Sequence, residues 1–150
     1  MTPFVSGGGG FLLAVLWFDL MFDVQALRRR QGDLPEEVLA SIAGYYARVT
    51  TAARPMNRLI STVMLGTIVS VIIQLARDDA PNWVAGASLA LIVAPVALAG
   101  AHTFRAAIRL GGRTDPADVQ SALARSILRD HLFCLAAIMS LLTIQLGFGR

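Results

Sequence analysis

Four long stretches of this chain carry no charged residue, and they limit its fold more than any other feature. They are residues 1–18, 59–76, 80–104 (with His102 counted as neutral) and 132–149. Each is long enough to suggest a helix that crosses a membrane. The composition agrees, because 55% of the residues are hydrophobic and only 15% are charged, against about 25% in soluble domains. The sequence therefore predicts an all-α integral membrane protein, a four-helix up-and-down bundle forming a single domain.

We place the four membrane spans at about 8–27, 56–76, 83–104 and 131–148. In the first span, the glycine run Gly7–Gly10 is a poor helix former, and the firmly apolar segment Phe11–Phe18 is short. A helix needs about 20 residues to cross the hydrocarbon layer. The first span is therefore expected to continue through Asp19 and Asp23, which places both acids inside or at the edge of the membrane.

Two connections are predicted to be amphipathic helical extensions of the spans, over about 36–55 and 116–130. Pro35 followed by two glutamates is typical of a helix start. Apolar residues then recur at helical spacing, at Val38, Ile42, Tyr45, Val49 and Ala52. Helix 2 is expected to run from near Glu36 to Ala76, with a kink or break at Pro55. Helices 2 and 4 would both extend into the cytoplasm.

The arginines predict an orientation. The connections 28–58 and 105–129 hold eleven of them, and the opposite side holds Arg77 and Arg150. Cytoplasmic connections are enriched in positive residues. We therefore expect both termini outside, both long connections in the cytoplasm, and residence in the cytoplasmic or inner membrane. The same topology explains the basic residues without nucleic-acid binding, and membrane lipid is the expected surrounding partner.

Two acidic residues on the first helix are the candidate catalytic groups. Asp19 and Asp23 lie four residues apart and so share one helix face. Charged groups in a membrane are costly and usually have a partner, and the available partners are Arg58, Arg105 and Arg129. One interpretation is that the acids only pin the helices together. The other is that they line a pocket open to the cytoplasm and carry protons or ligate a metal.

A set of polar residues at the inner ends of the helices is the candidate ligand-binding site: Tyr45, Asn57, Arg58, Arg105 and Arg129. The arginines would hold an anion, and the Tyr45 hydroxyl would bond a ligand. Interfacial anchoring is the alternative for the tyrosine, because its ring is amphipathic.

The only two histidines, His102 and His131, are expected at one depth on adjacent helices. Three interpretations remain open: a bis-histidine haem, a single metal ion held with Asp19 or Asp23, or simple hydrogen bonding near the headgroups. The single cysteine, Cys134, excludes a disulfide framework and a CxxC pair.

Three functional hypotheses follow from these residues. The first is a small membrane enzyme, or a protein that binds a lipophilic small molecule, a metal or haem in a cytoplasm-facing pocket. The alternative is a non-enzymatic interaction or assembly subunit, which includes the case of a homo-oligomer. Its polar layer would only fix helix packing. The weakest is a proton-coupled exporter, because the outer half offers few polar groups for a transport route.

Overall fold

The computed structural model describes residues 1–29 and 31–149, and over these ranges the chain is helical with short connections and no strand. The helices are α1 (Thr2–Asp23), α2 (Glu36–Thr51), α3 (Arg54–Ala76), α4 (Asn82–Leu98), α5 (Phe104–Gly112) and α6 (Ala117–Phe148). A 3₁₀ turn, Val24–Arg28, follows α1, and a π-helical turn, Ala99–Thr103, joins α4 to α5.

Four of these helical stretches are long and apolar enough to cross a membrane. They are Thr2–Arg28, Arg54–Ala76, Asn82–Gly112 and Ala117–Phe148. The predicted all-α fold with four membrane-spanning helices is therefore confirmed. The first of these helical stretches contains Asp19 and Asp23, and the fourth is one continuous helix.

The second predicted helix is divided in two. α2 ends at Thr51 and α3 begins at Arg54, so the break lies just ahead of Pro55. In the first turn of α3 the missing N–H of this proline removes no helical hydrogen bond. The Asn57 side-chain amide donates to the Val49 carbonyl oxygen at 2.8 Å and so satisfies an acceptor near the end of α2.

The contacts within the chain define two compact units. Unit 1 comprises residues 1–16, 58–97 and 133–149, and its core joins side chains from α1, α3, α4 and α6. The buried members are Val5, Leu12, Val71, Ile92, Ile138 and Leu141. Their packing brings parts of all four spans together inside this unit.

Unit 1 also buries a small set of amides and hydroxyls. Gln74 and Gln145 are fully buried and exchange hydrogen bonds at 2.9 and 3.3 Å. Gln145 also donates to the Ser88 hydroxyl at 2.8 Å, and Gln74 donates to the Thr2 hydroxyl at 3.3 Å. Because lipid offers no hydrogen bonds, these contacts fix how the four spans meet.

The glycine run is part of helix α1, and two of its glycines, Gly8 and Gly9, lie in close contact with neighbouring helices. A Cβ at Gly8 would overlap the Thr67 side chain, and one at Gly9 would lie 3.0 Å from Leu142. At Gly7 and Gly10 a Cβ would meet nothing within 4 Å. The weak helix propensity of glycine is thus offset by close contacts between α1 and its neighbours.

Gly8→Ala should destabilise the protein, because the added methyl group forces Thr67 or the α1 backbone to move. Overpacking of this kind costs about 1–3 kcal/mol. Gly7→Ala is the matched control and should be neutral or slightly stabilising, since alanine is the better helix former. Thermal unfolding of the two variants in detergent, followed by circular dichroism, measures the difference. Equal unfolding temperatures would contradict the proposed contact.

Unit 2 comprises residues 17–29, 31–57 and 98–132, and in it α2 packs against α5. α2 buries Val38, Leu39, Ile42, Ala43 and Tyr46. Of the predicted face, Val38 and Ile42 are buried, but Ala52 is exposed. The two helices approach closely at Gly111 on α5, where a Cβ would meet the Ala47 nitrogen at 2.8 Å.

Candidate functional site

A buried carboxylate, Asp23, is the centre of the polar site in unit 2. It lies at the end of α1 and is fully buried. The Tyr46 hydroxyl, from α2, donates to Asp23 Oδ1 at 2.7 Å. His131 Nδ1, from α6, lies 2.6 Å from Asp23 Oδ2. Both oxygens therefore have a partner, and one side chain ties three helices together.

Asp19 lies one helical turn before Asp23 and has a different partner. The Tyr45 hydroxyl donates to Asp19 Oδ1 at 2.5 Å, and the Tyr45 ring stacks on Phe22 with centroids 4.1 Å apart. Burial raises the pKa of Tyr45, and the hydrogen bond to Asp19 raises it further. The pKa of Tyr46 is raised by burial and by Asp23. Both hydroxyls therefore stay protonated and remain donors.

A second carboxylate, Asp130, holds the π-helical turn against α6. His102 Nδ1 lies 2.6 Å from Asp130 Oδ2, and the Thr103 hydroxyl donates to the same oxygen at 2.8 Å. The turn closes with an N–H of Phe104 bonded to the Ala99 carbonyl, a five-residue step typical of a π-helix. In this geometry the consecutive side chains of His102 and Thr103 both reach Asp130 Oδ2.

The two histidines therefore have different carboxylate partners, His131 with Asp23 and His102 with Asp130. Among residues 1–29 and 31–149, no group of three or more His, Cys, Asp or Glu could hold a metal ion. The donor set expected for a metal between His102, His131 and Asp19 or Asp23 is thus not assembled in this part of the chain. The haem interpretation receives no support from this geometry either.

The arginines that the sequence offers as available partners are not the ones that Asp19 and Asp23 use among the described residues. Tyrosine and histidine take that place, while Arg58, Arg105 and Arg129 are exposed. The physical reason is desolvation, because a guanidinium is costly to bury and its long side chain can keep the charge in a polar layer. Asn57, the remaining predicted ligand residue, is engaged at the α2–α3 break instead.

Several residues that hold unit 2 together are not predicted from the sequence. Ser121 on α6 accepts a hydrogen bond from the buried Leu34 N–H at 2.9 Å. Arg125 donates to the backbone carbonyls of Arg29 and Gly32. Thr103 joins the Asp130 cluster. These three residues form no recognisable sequence motif. The one available signal was that Asp130 and His131 are adjacent in the sequence, which indicates a polar stretch in α6.

The comparisons with known proteins give one result. A sequence profile of the SHR3 chaperone family, described as "ER membrane protein SH3", matches residues 2–147. This chain belongs to the SHR3 chaperone family. Neither the curated proteins nor the solved structures include a match to it.

Membership of the SHR3 family confirms that the chain is an integral membrane protein. The family description names the ER membrane, so it does not support the cytoplasmic or inner membrane that the arginine distribution suggested. It also favours the assembly hypothesis over the enzyme hypothesis, because the family name describes a chaperone.

Tyr46→Phe should destabilise unit 2 more than Tyr45→Phe does. Loss of the Tyr46 hydroxyl leaves a fully buried oxygen of Asp23 without its donor, at a cost of about 1–3 kcal/mol. Asp19 is only half-buried, so loss of the Tyr45 hydroxyl does not leave a fully buried oxygen without its donor, and it should cost about 1 kcal/mol or less. Unfolding of both variants in detergent measures the difference. A larger loss for Tyr45→Phe would show that Asp23 does not depend on Tyr46.

Proposed function

We propose that this protein is a non-enzymatic assembly factor, a membrane-embedded chaperone that acts on partner membrane proteins. The observation that carries this proposal is the match of the SHR3 chaperone family to residues 2–147. Because that match covers nearly the whole chain, we assign the chaperone activity to the four spans themselves.

The polar site supports a structural role for its carboxylates. Both oxygens of Asp23 are used by Tyr46 and His131, and Asp19 is engaged by Tyr45. A catalytic pocket would be expected to leave such groups open to a substrate. Their internal pairing fits the hypothesis that the polar layer fixes helix packing.

The outer face of α4 is the surface that we assign to partner contact. Its exposed residues are mostly small, with Gly86, Ala90 and Ala94 four residues apart. Trp83 and Val93 are the only exposed large hydrophobic residues of this helix. In lipid, small residues allow two helices to approach closely and pack. A transmembrane helix of a partner could therefore approach closely along α4.

The outer face of α3 differs from that of α4 in the size of its exposed side chains. It exposes several large side chains instead, at Met56, Leu59, Leu65, Val69 and Ile72. A Cβ would meet nothing within 4 Å either at Gly66 on α3 or at Gly86 on α4. Larger residues at these two glycines should therefore leave the fold intact while changing different outer faces.

Gly86→Leu should abolish the assembly activity without unfolding the protein, because the leucine side chain blocks close approach along α4. The measurement is quantitative membrane proteomics in the native host. Deletion should lower particular membrane proteins at unchanged transcript levels, and the wild-type chain should restore them. Gly86→Leu should restore them no better than an empty vector, whereas Gly66→Leu should restore them as wild type does. Equal restoration by both variants would remove α4 as the contact surface.

Asp19→Asn separates the chaperone from an enzyme. The asparagine keeps an acceptor oxygen for the Tyr45 hydroxyl, so the variant should fold and should restore the same membrane proteins as wild type. An enzyme that uses Asp19 as its acid or base would lose all activity in this variant. A folded but inactive Asp19→Asn protein would therefore overturn the proposal and favour the catalytic hypothesis.

Residence in the ER membrane, with the long connections in the cytosol, completes the proposal. The family description supports the compartment, and the arginine-rich connections support the orientation through the positive-inside tendency. The exporter hypothesis gains no support from the family or from the paired carboxylates.

A further inference from the structure

An open groove in unit 2 lies outside the carboxylate clusters. It is formed by the 3₁₀ turn and α6, has a volume of about 480 Å³, and is lined by Ala26, Leu27, Ala122, Arg125, Leu128 and Arg129. Ala26 and Leu128 are buried and form an apolar floor. We call it the arginine groove, because two guanidinium groups complete its lining.

The two arginines of the groove lie four residues apart and so on one face of α6. Arg125 is held in place, since its Nε and Nη2 donate to the Arg29 carbonyl at 3.3 and 3.1 Å and Nη2 also donates to the Gly32 carbonyl. Arg129 is exposed and makes no hydrogen bond or ion pair with any residue that the structure describes. The neighbouring Asp130 is occupied by His102 and Thr103.

The position of Arg129 along α6 matches the headgroup layer of a membrane. The uncharged run of this helix begins at Leu132. At 1.5 Å per residue, Arg129 and Arg125 lie about 4.5 and 10.5 Å before it. The polar layer on each side of a bilayer is about 5–7 Å thick. Arg129 therefore lies within the polar layer, and the Arg125 backbone lies about 3.5–5.5 Å beyond it on the aqueous side.

We propose that the arginine groove binds the headgroup of an anionic phospholipid. The phosphate lies between Arg129 and the fixed guanidinium of Arg125, with Ala26 and Leu128 beneath it, and the glycerol and acyl chains extend past Arg129 toward the uncharged run that begins at Leu132. Arginine is well suited to phosphate because its planar fork offers paired donors. The apolar floor favours a lipid over free phosphate, and the volume fits a headgroup and not a whole lipid. This lipid site does not depend on the chaperone activity.

The test is native mass spectrometry of the full-length protein in detergent, with phosphatidylglycerol or phosphatidylcholine of identical acyl chains added. The wild-type chain should retain phosphatidylglycerol preferentially. Arg129→Gln should weaken that retention by about five-fold, the size expected for one basic side chain at an anionic surface. Arg105→Gln is the matched control, because Arg105 is also exposed but lies outside the groove. It should leave retention unchanged.

Two further measurements separate a built site from general charge attraction. Ala122→Phe fills the groove without changing charge and should weaken retention as Arg129→Gln does. Glycerol 3-phosphate at the same concentration should not displace the lipid. The proposal is overturned if the two lipids bind equally, if Arg105→Gln and Arg129→Gln weaken binding alike, if Ala122→Phe has no effect, or if glycerol 3-phosphate displaces the lipid.

Discussion

The burial of one carboxylate sets the arrangement of unit 2. Asp23 is fully removed from solvent, and a buried carboxylate without partners is costly by several kcal/mol. Tyr46 and His131 meet this need from two other helices, at 2.7 and 2.6 Å. The positions of α1, α2 and α6 are therefore coupled. The contact of Gly111 with the Ala47 backbone, which seats α5 on α2, completes the same packing.

The polar groups of the protein serve two different purposes. Those of the carboxylate clusters and of the Gln74–Gln145 pair are satisfied internally, and they specify how helices meet in surroundings where lipid offers no hydrogen bonds. Arg129 instead remains exposed on α6, in a groove with an apolar floor. This division fits the proposed membrane chaperone better than an enzyme. The internal polar groups bond to one another and hold the helices together, and the outer faces remain for partners and lipid.

Some features of the site were within reach of the sequence, and others were not. The four-residue spacing of Asp19 and Asp23 indicated a shared face and a need for partners. Tyr45 was recognised as a polar candidate, but arginines were named as the available partners in the position that tyrosine and histidine occupy. Sequence counts favour arginine because it is abundant here. The choice between partners depends on which side chain can be desolvated at the contact, and that is a property of three-dimensional packing.

The sequence by itself determined the four spans, the helix start after Pro35 and the break near Pro55. These features follow from local requirements: a run of apolar residues must be long enough to cross a membrane, and proline cannot continue the backbone hydrogen bonds of a helix. Only the tertiary structure decided the partner of each carboxylate, the separation of His102 from His131 into two clusters, and the glycines that are contact points. Those outcomes depend on residues distant along the chain, and no local pattern encodes the distance between them.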